Sequence, residues 1–146
     1  MENRYFYTTE VEWTGERHGA LTAPLLPNLA VDAPPEFKGH DGAWTPEHLF
    51  VASVSSCFMT TFLSIAENSK LEFKRFSVGS RGKLEKVDAE GFIMTEITLS
   101  PKLEIINERD LQRASRILEK AGKHCLISNS MKSHINLEPQ ITTVTG

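Results

Sequence analysis

The side chains with most chemical potential are two cysteines, Cys57 in Val-Ser-Ser-Cys-Phe-Met and Cys125 in Lys-His-Cys-Leu-Ile-Ser. A thiolate is a nucleophile and a metal ligand, whereas a free thiol in a core behaves as a small hydrophobe. Cys125 comes 68 positions after Cys57, so they are not a C-x-x-C redox pair. Cys57 sits in an apolar run, where packing alone explains a cysteine. Cys125 lies in a polar segment, where packing explains it less well. Glu47 taken singly is a helix-start carboxylate, and Arg17 a solvated turn residue. His40, His48, His124 and His134 are isolated and have no zinc-ligand spacing, so no metal site is expected.

The chain around them has 146 residues, which sets the expectation of one domain over 1–146 with a core of its own. Apolar residues make up 40 % and charged residues 24 %, near ordinary globular values, so a disordered or fibrous chain is not expected. The formal net charge of −3 gives no basic footprint for nucleic acid. The first ten residues lack a basic stretch followed by an apolar one, so a reducing, cytoplasmic setting is expected, where a structural disulfide would be unusual. From His48 to Ala66 there is no formal charge. Six hydroxylic residues and the acidic flanks Glu47 and Glu67 make that run a buried helix rather than a membrane span.

Residues 1–31 read as a β meander, with Tyr5, Tyr7, Thr9, Val11 and Trp13 alternating and a hairpin turn over Thr14–Gly19. Asp32 to Trp44 holds Pro34, Pro35, Gly39 and Gly42 without periodicity and is a loop. Thr45 caps a helix with Pro46 at its first position, running to about Asn68. Apolar residues occupy most of its circumference, which predicts burial on nearly all sides. Ser53, Ser56, Thr60 and Ser64 form a narrow small-residue stripe, open either to a second helix or to hydroxyls bonding back one turn. Two long strands follow from Leu71, turning at Asp88–Gly91, with one wet face. Asn107 is expected to cap a surface helix that ends at Gly122, and a last strand runs from about His134 to Val144. This order gives an α+β domain with helices packed on antiparallel sheet.

Thr-Pro-Glu-His-Leu-Phe at 45–50, ten residues from Glu47 to Cys57 in Ser-Ser-Cys, and a second cysteine ahead of Ser-Asn-Ser resemble the OsmC/Ohr family of thiol peroxidases. The resemblance covers nearly the whole chain. It implies an OsmC-like α+β fold: antiparallel sheet packed with a long buried central helix and a second surface helix, in an intertwined homodimer. It also implies reduction of organic hydroperoxides or hydrogen peroxide, without metal, flavin or haem. By position, Cys57 matches the peroxidatic cysteine and Cys125 the resolving one. Glu47 matches the carboxylate that orients an active-site arginine. Arg17 is the match to that arginine, with Arg4, Arg75 and Arg81 as alternatives. The implied partners are a small hydroperoxide and an external thiol or dithiol, of the lipoyl type in one branch, with neither nucleic acid nor membrane. Leu126 stands where many relatives have proline, and His48 where glutamine is common.

The reaction sets physical demands. An ordinary thiol has a pKa of about 8.5, and burial raises it further. Lowering it by about two units takes roughly 2.7 kcal/mol of thiolate stabilisation, which a guanidinium fixed by a carboxylate can supply. Ten residues on one helix put Glu47 and Cys57 about 15 Å apart. Unless the chain bends near Pro46, a shared site then needs the glutamate of a second subunit, brought in by antiparallel pairing of two such helices. Phe37, Trp44, Phe50 and Phe58 are candidates for an apolar pocket wall. The competing readings are a non-catalytic or ligand-binding dimer of the same fold, and a thiol–disulfide enzyme that does not act on peroxides.

Overall fold

The computed structural model describes residues 3–144. Met1 and Glu2, where the meander was expected to start, lie outside the described residues, as do residues 145 and 146. Two compact units divide the chain, Met1–Phe50 and Val51–Gly146.

The first unit is a three-stranded antiparallel meander, β1 (Glu10–Gly15), β2 (His18–Thr22) and β3 (Leu29–Val31), in that order. The alternation that begins at Tyr5 is not strand until Glu10. Thr22, the last residue of β2, pairs with Glu10, so the residues before Glu10 have no neighbouring strand to bond. The β1–β2 turn carries Glu16 and Arg17, with Gly15 at φ 133° and Glu16 at φ 47°. The 32–44 segment is the expected loop, holding one 3₁₀ turn at Pro35–Phe37. Gly39 is required there, because a Cβ would lie 1.6 Å from the carbonyl oxygen of Ala33. The long helix α1 (Pro46–Asn68) begins as its sequence dictates, with Thr45 Oγ1 accepting the His48 N–H at 3.0 Å.

The second unit holds the core. Strands β4 (Phe73–Val87) and β5 (Gly91–Ile105) form a long antiparallel hairpin. Ile97, Leu99, Leu103 and Ile105 of β5 are buried against Val54, Phe58, Phe62 and Ala66 of α1. Helix α2 (Leu111–His124) adds Ala114, Ile117, Leu118 and Ala121 of the expected apolar stripe, whereas Leu111, also expected in it, is exposed. Phe62 stacks on Phe76 with ring centroids 4.2 Å apart and meets Phe73 edge-on at 5.4 Å. Gly82 lets α1 approach the hairpin, since a Cβ there would lie 2.5 Å from Val51 Cγ2.

Four expectations are corrected. Helix α1 is not buried on nearly all sides. Its buried residues form one i, i+4 stripe, and Phe50, Met59 and Leu63 remain exposed, because a single chain offers core to only one face. This helix is also long and apolar enough to cross a membrane by length and composition. Asn107 makes no side-chain cap; its position precedes a 3₁₀ turn, Glu108–Asp110, and α2 starts one turn later. Gly122 does not end α2, which continues to His124 and stops where Cys125 turns extended (φ −69°, ψ 110°). A single glycine costs a helix only about 1 kcal/mol. The last strand is two, β6 (His134–Leu137) and β7 (Gln140–Thr143), broken around Pro139, which has no N–H to donate. Both pair with β5 in parallel, so the sheet is antiparallel in its long hairpin and parallel at this edge.

Candidate functional site

Cys57 sits three residues after Val54 and one before Phe58, at the margin of the buried stripe of α1, and is half-buried. That position gives its sulfur both a packed side and an open one. Burial pushes the thiol pKa up. Hydrogen bonds from the Ile127 N–H, the Cys125 thiol, the Thr61 hydroxyl and the Leu126 N–H outweigh it and hold Cys57 below the ordinary thiol value. Thr61 Oγ1 lies one helical turn on, 3.9 Å from the sulfur. A shallow groove of about 440 Å³ opens beside Thr61, lined also by Thr60, Ser64, Ile65, Lys120 and His124.

Cys125 follows the last turn of α2 and is fully buried, its sulfur 4.0 Å from the Val54 carbonyl oxygen of α1. Burial raises its pKa first. The hydroxyl and N–H of Ser128 pull the other way, and the neighbouring Cys57 raises it again. The two thiols thus have unequal roles: Cys57 is held the more acidic and Cys125 the less. Both are free thiols. The arrangement can present a thiolate to an incoming electrophile with a second thiol at hand.

The amide donors of Leu126 and Ile127 were not foreseen. Backbone N–H groups leave no mark in residue types, with one exception. Leu126 is a residue with an N–H, which a proline there would lack.

The other sequence-selected residues lie as follows. Arg17 is exposed in the β1–β2 turn, and Arg4, Arg75 and Arg81 are exposed as well. Glu47 is in the first turn of α1, with one carboxylate oxygen buried and lacking a hydrogen-bond partner among the described residues. Neither Arg17 nor Glu47 forms an ion pair among the described residues. Helix α1 is assigned from Pro46 to Asn68, with Glu47 in its first turn. Phe58 is corrected from pocket wall to core: it is wholly buried and stacks on Phe76. Phe37, Trp44 and Phe50 are partly exposed. In the small-residue stripe, Ser56 donates to the Ala52 carbonyl at 2.8 Å and Thr60 to the Cys57 carbonyl at 3.0 Å, so hydroxyls there bond back along the helix.

Among proteins of known sequence, the chain is 27 % identical over 146 residues to an organic hydroperoxide resistance protein-like 2 of Staphylococcus epidermidis, covering 97 % of this chain and 99 % of that one. It is 26 % identical to an uncharacterized protein of Acinetobacter baylyi, covering 94 % of each. Among solved structures, an OsmC-like protein of unknown function from Vibrio cholerae superposes with a TM-score of 0.85 at 22 % identity, over 93 % of this chain and 99 % of that one. An organic hydroperoxide resistance protein from Elizabethkingia anophelis, with thiocyanate bound, gives a TM-score of 0.77 at 22 % identity, over 99 % and 100 %. The family model described as OsmC-like protein matches residues 39–140, which takes in α1, both cysteines and the long hairpin. The chain therefore belongs to the OsmC-like protein family, and its fold is the α+β fold of that family.

Proposed function

We propose that the chain is a thiol-dependent peroxidase that reduces organic hydroperoxides through Cys57. Family membership supports a redox, peroxidase-related function in general. The observation that carries the finer reading is the unequal pair: a half-exposed Cys57 with Thr61 Oγ1 3.9 Å from its sulfur and its pKa held low, and a wholly buried Cys125 with its pKa raised. The Cys57 thiolate attacks the terminal oxygen of R–O–O–H. The S–O bond forms as the O–O bond breaks, the alkoxide takes a proton and leaves as alcohol, and Cys57 becomes a sulfenic acid. The Cys125 sulfur then displaces hydroxide, its proton leaves with it as water, and a Cys57–Cys125 disulfide results. An external dithiol reduces that disulfide and is itself oxidised.

Arg17 and Glu47 are proposed as the cation that assists attack and the carboxylate that orients it. About 15 Å of helix separates Glu47 from Cys57. The glutamate therefore serves a site of which the other part comes from a second copy, and the active form is a two-fold homodimer. The exposed Phe50, Met59 and Leu63 of α1 supply apolar surface for that pairing.

Turnover of cumene hydroperoxide with dihydrolipoamide tests the reading. Wild-type protein is expected to turn over and Cys57→Ser to be inactive. Cys125→Ser should complete one turnover and stall as sulfenic acid. Equal rates for wild type and Cys57→Ser overturn it. Rapid disulfide exchange without consumption of peroxide assigns the pair to thiol–disulfide chemistry instead.

A further inference from the structure

Within the first unit, Glu16, His18, Asp32 and His40 form a second cluster that the thiol chemistry does not use. His18 and His40 are stacked, ring centroids 4.8 Å apart and 23° from parallel. Each ring spans two carboxylates. On one side, Asp32 Oδ2 lies 2.9 Å from His18 Nδ1 and 3.2 Å from His40 Nδ1. On the other, Glu16 Oε2 lies 3.6 Å from His18 Nε2 and 3.3 Å from His40 Nε2.

The Asp32 side chain is fully buried and has its own anchors: its Oδ1 accepts the Ala33 N–H at 2.7 Å and its Oδ2 the His40 N–H at 3.2 Å. A carboxylate held in this way accepts the Nδ1–H of a neutral imidazole and leaves the Nε2 lone pair outward. This is the outer-shell arrangement that orients histidines on a metal. Both Nε2 atoms face the Glu16 carboxylate, and a metal ion between the three groups would take one ligand atom from each.

We infer that Glu16, His18 and His40 bind one divalent transition-metal ion of the zinc type. The ligating atoms all lie within 4.8 Å of one another. Bonds of about 2.0–2.1 Å to a tetrahedral zinc put ligand atoms roughly 3.4 Å apart, close to the two distances to Glu16. Two imidazoles and one carboxylate suit zinc and its neighbours in the first transition row. Calcium and magnesium demand more oxygen, and softer ions demand thiolate. Three protein ligands on an open surface leave a fourth position to water. The turn at the site is itself fixed, since Trp13 Nε1 donates to the Glu16 carbonyl at 2.9 Å. Bound metal ties the β1–β2 turn to the 32–44 loop and clamps Arg17, which lies between two ligands.

The ligands are far apart in sequence, with 21 residues between His18 and His40, so no spacing announces them. The inference does not depend on the peroxidase reading, and its test does not use peroxide. Zn²⁺ is titrated into the reduced protein by calorimetry, with Co²⁺ absorption as the spectroscopic report of ligand type. One equivalent is expected to bind, with Co²⁺ bands of nitrogen and oxygen ligation and no sulfur-to-metal charge transfer. His18→Ala and His40→Ala should each weaken binding about 100-fold or more, and Asp32→Asn roughly 10- to 100-fold. Glu16→Gln, at an exposed turn position, guards against a folding failure and should also weaken binding. Cys57→Ser should bind as wild type does. Absence of stoichiometric binding by wild type overturns the inference, as does binding that survives both histidine variants or vanishes in Cys57→Ser.

Discussion

The thiol pair and the imidazole–carboxylate cluster solve one problem in two ways. Both hold a reactive atom against fixed polar partners. At Cys57 the means are donors: two backbone N–H groups, a hydroxyl and a thiol face a sulfur whose burial would otherwise keep it protonated. At His18 and His40 the means is a carboxylate: the buried Asp32 Oδ2 lies 2.9 Å from one ring and 3.2 Å from the other. Two of those donors are main chain just past the end of α2, whereas Asp32 is a side chain in a loop. Main-chain donors survive most substitutions except proline, but the carboxylate can be deleted by a single change.

That contrast can be broken by mutation. The largest effect is expected from Cys57→Ser, which should lower peroxidase turnover by at least about 1,000-fold, because a serine hydroxyl is a far weaker nucleophile and cannot form the disulfide. A steady-state assay reads it, and metal uptake should be untouched. Next comes the support beneath each site. Phe62→Ala should cost about 3–5 kcal/mol in urea unfolding, since the ring is wholly buried between two others. Glu16→Gln, on the surface, should cost no more than about 0.5 kcal/mol in metal-free buffer.

The amide donors are tested by subtler changes. Ile127 has φ −68°, the value proline imposes, so Ile127→Pro removes the N–H with little change at that φ. The midpoint of Cys57 alkylation against pH should rise by about one unit, the equivalent of one charge-assisted hydrogen bond discounted for partial exposure. Leu126→Pro removes the lesser donor, and the extended backbone of Cys125 accommodates a following proline. Its upward shift should be smaller. The sign in the unmutated protein is fixed by the same contacts. With its pKa lowered, Cys57 holds more thiolate at neutral pH than an ordinary thiol, so iodoacetamide should label it first. With its pKa raised, Cys125 should react only at higher pH. Equal labelling of both at neutral pH would erase the distinction.

Much of this was legible in the residues. The Thr45–Pro46 start of α1, the Asp88–Gly91 turn and the α2 stripe all follow from local rules and reappear within a residue or two. The misreadings were of longer range. Parallel pairing of β6 and β7 with β5 is set by where α2 returns the chain, which alternation cannot reveal. Burial of α1 was overestimated because an apolar circumference says what a helix can bury, not what one chain supplies. At the site, the two cysteines were legible as residue types, whereas the donors from Leu126 and Ile127 were not, because every non-proline residue carries the same N–H. The histidine cluster was missed for a related reason: its order comes from Asp32, a residue whose sequence neighbourhood reads only as loop.

The most direct test of the account is to expose reduced protein to one equivalent of cumene hydroperoxide and map its peptides by mass spectrometry without reductant. The predicted product is an intramolecular or subunit-internal link between the Cys57 and Cys125 peptides, with the loss of two hydrogens and formation of one equivalent of cumyl alcohol. Protein that leaves the peroxide unconsumed, or that accumulates sulfinic acid on Cys57 while Cys125 remains a free thiol, would contradict it.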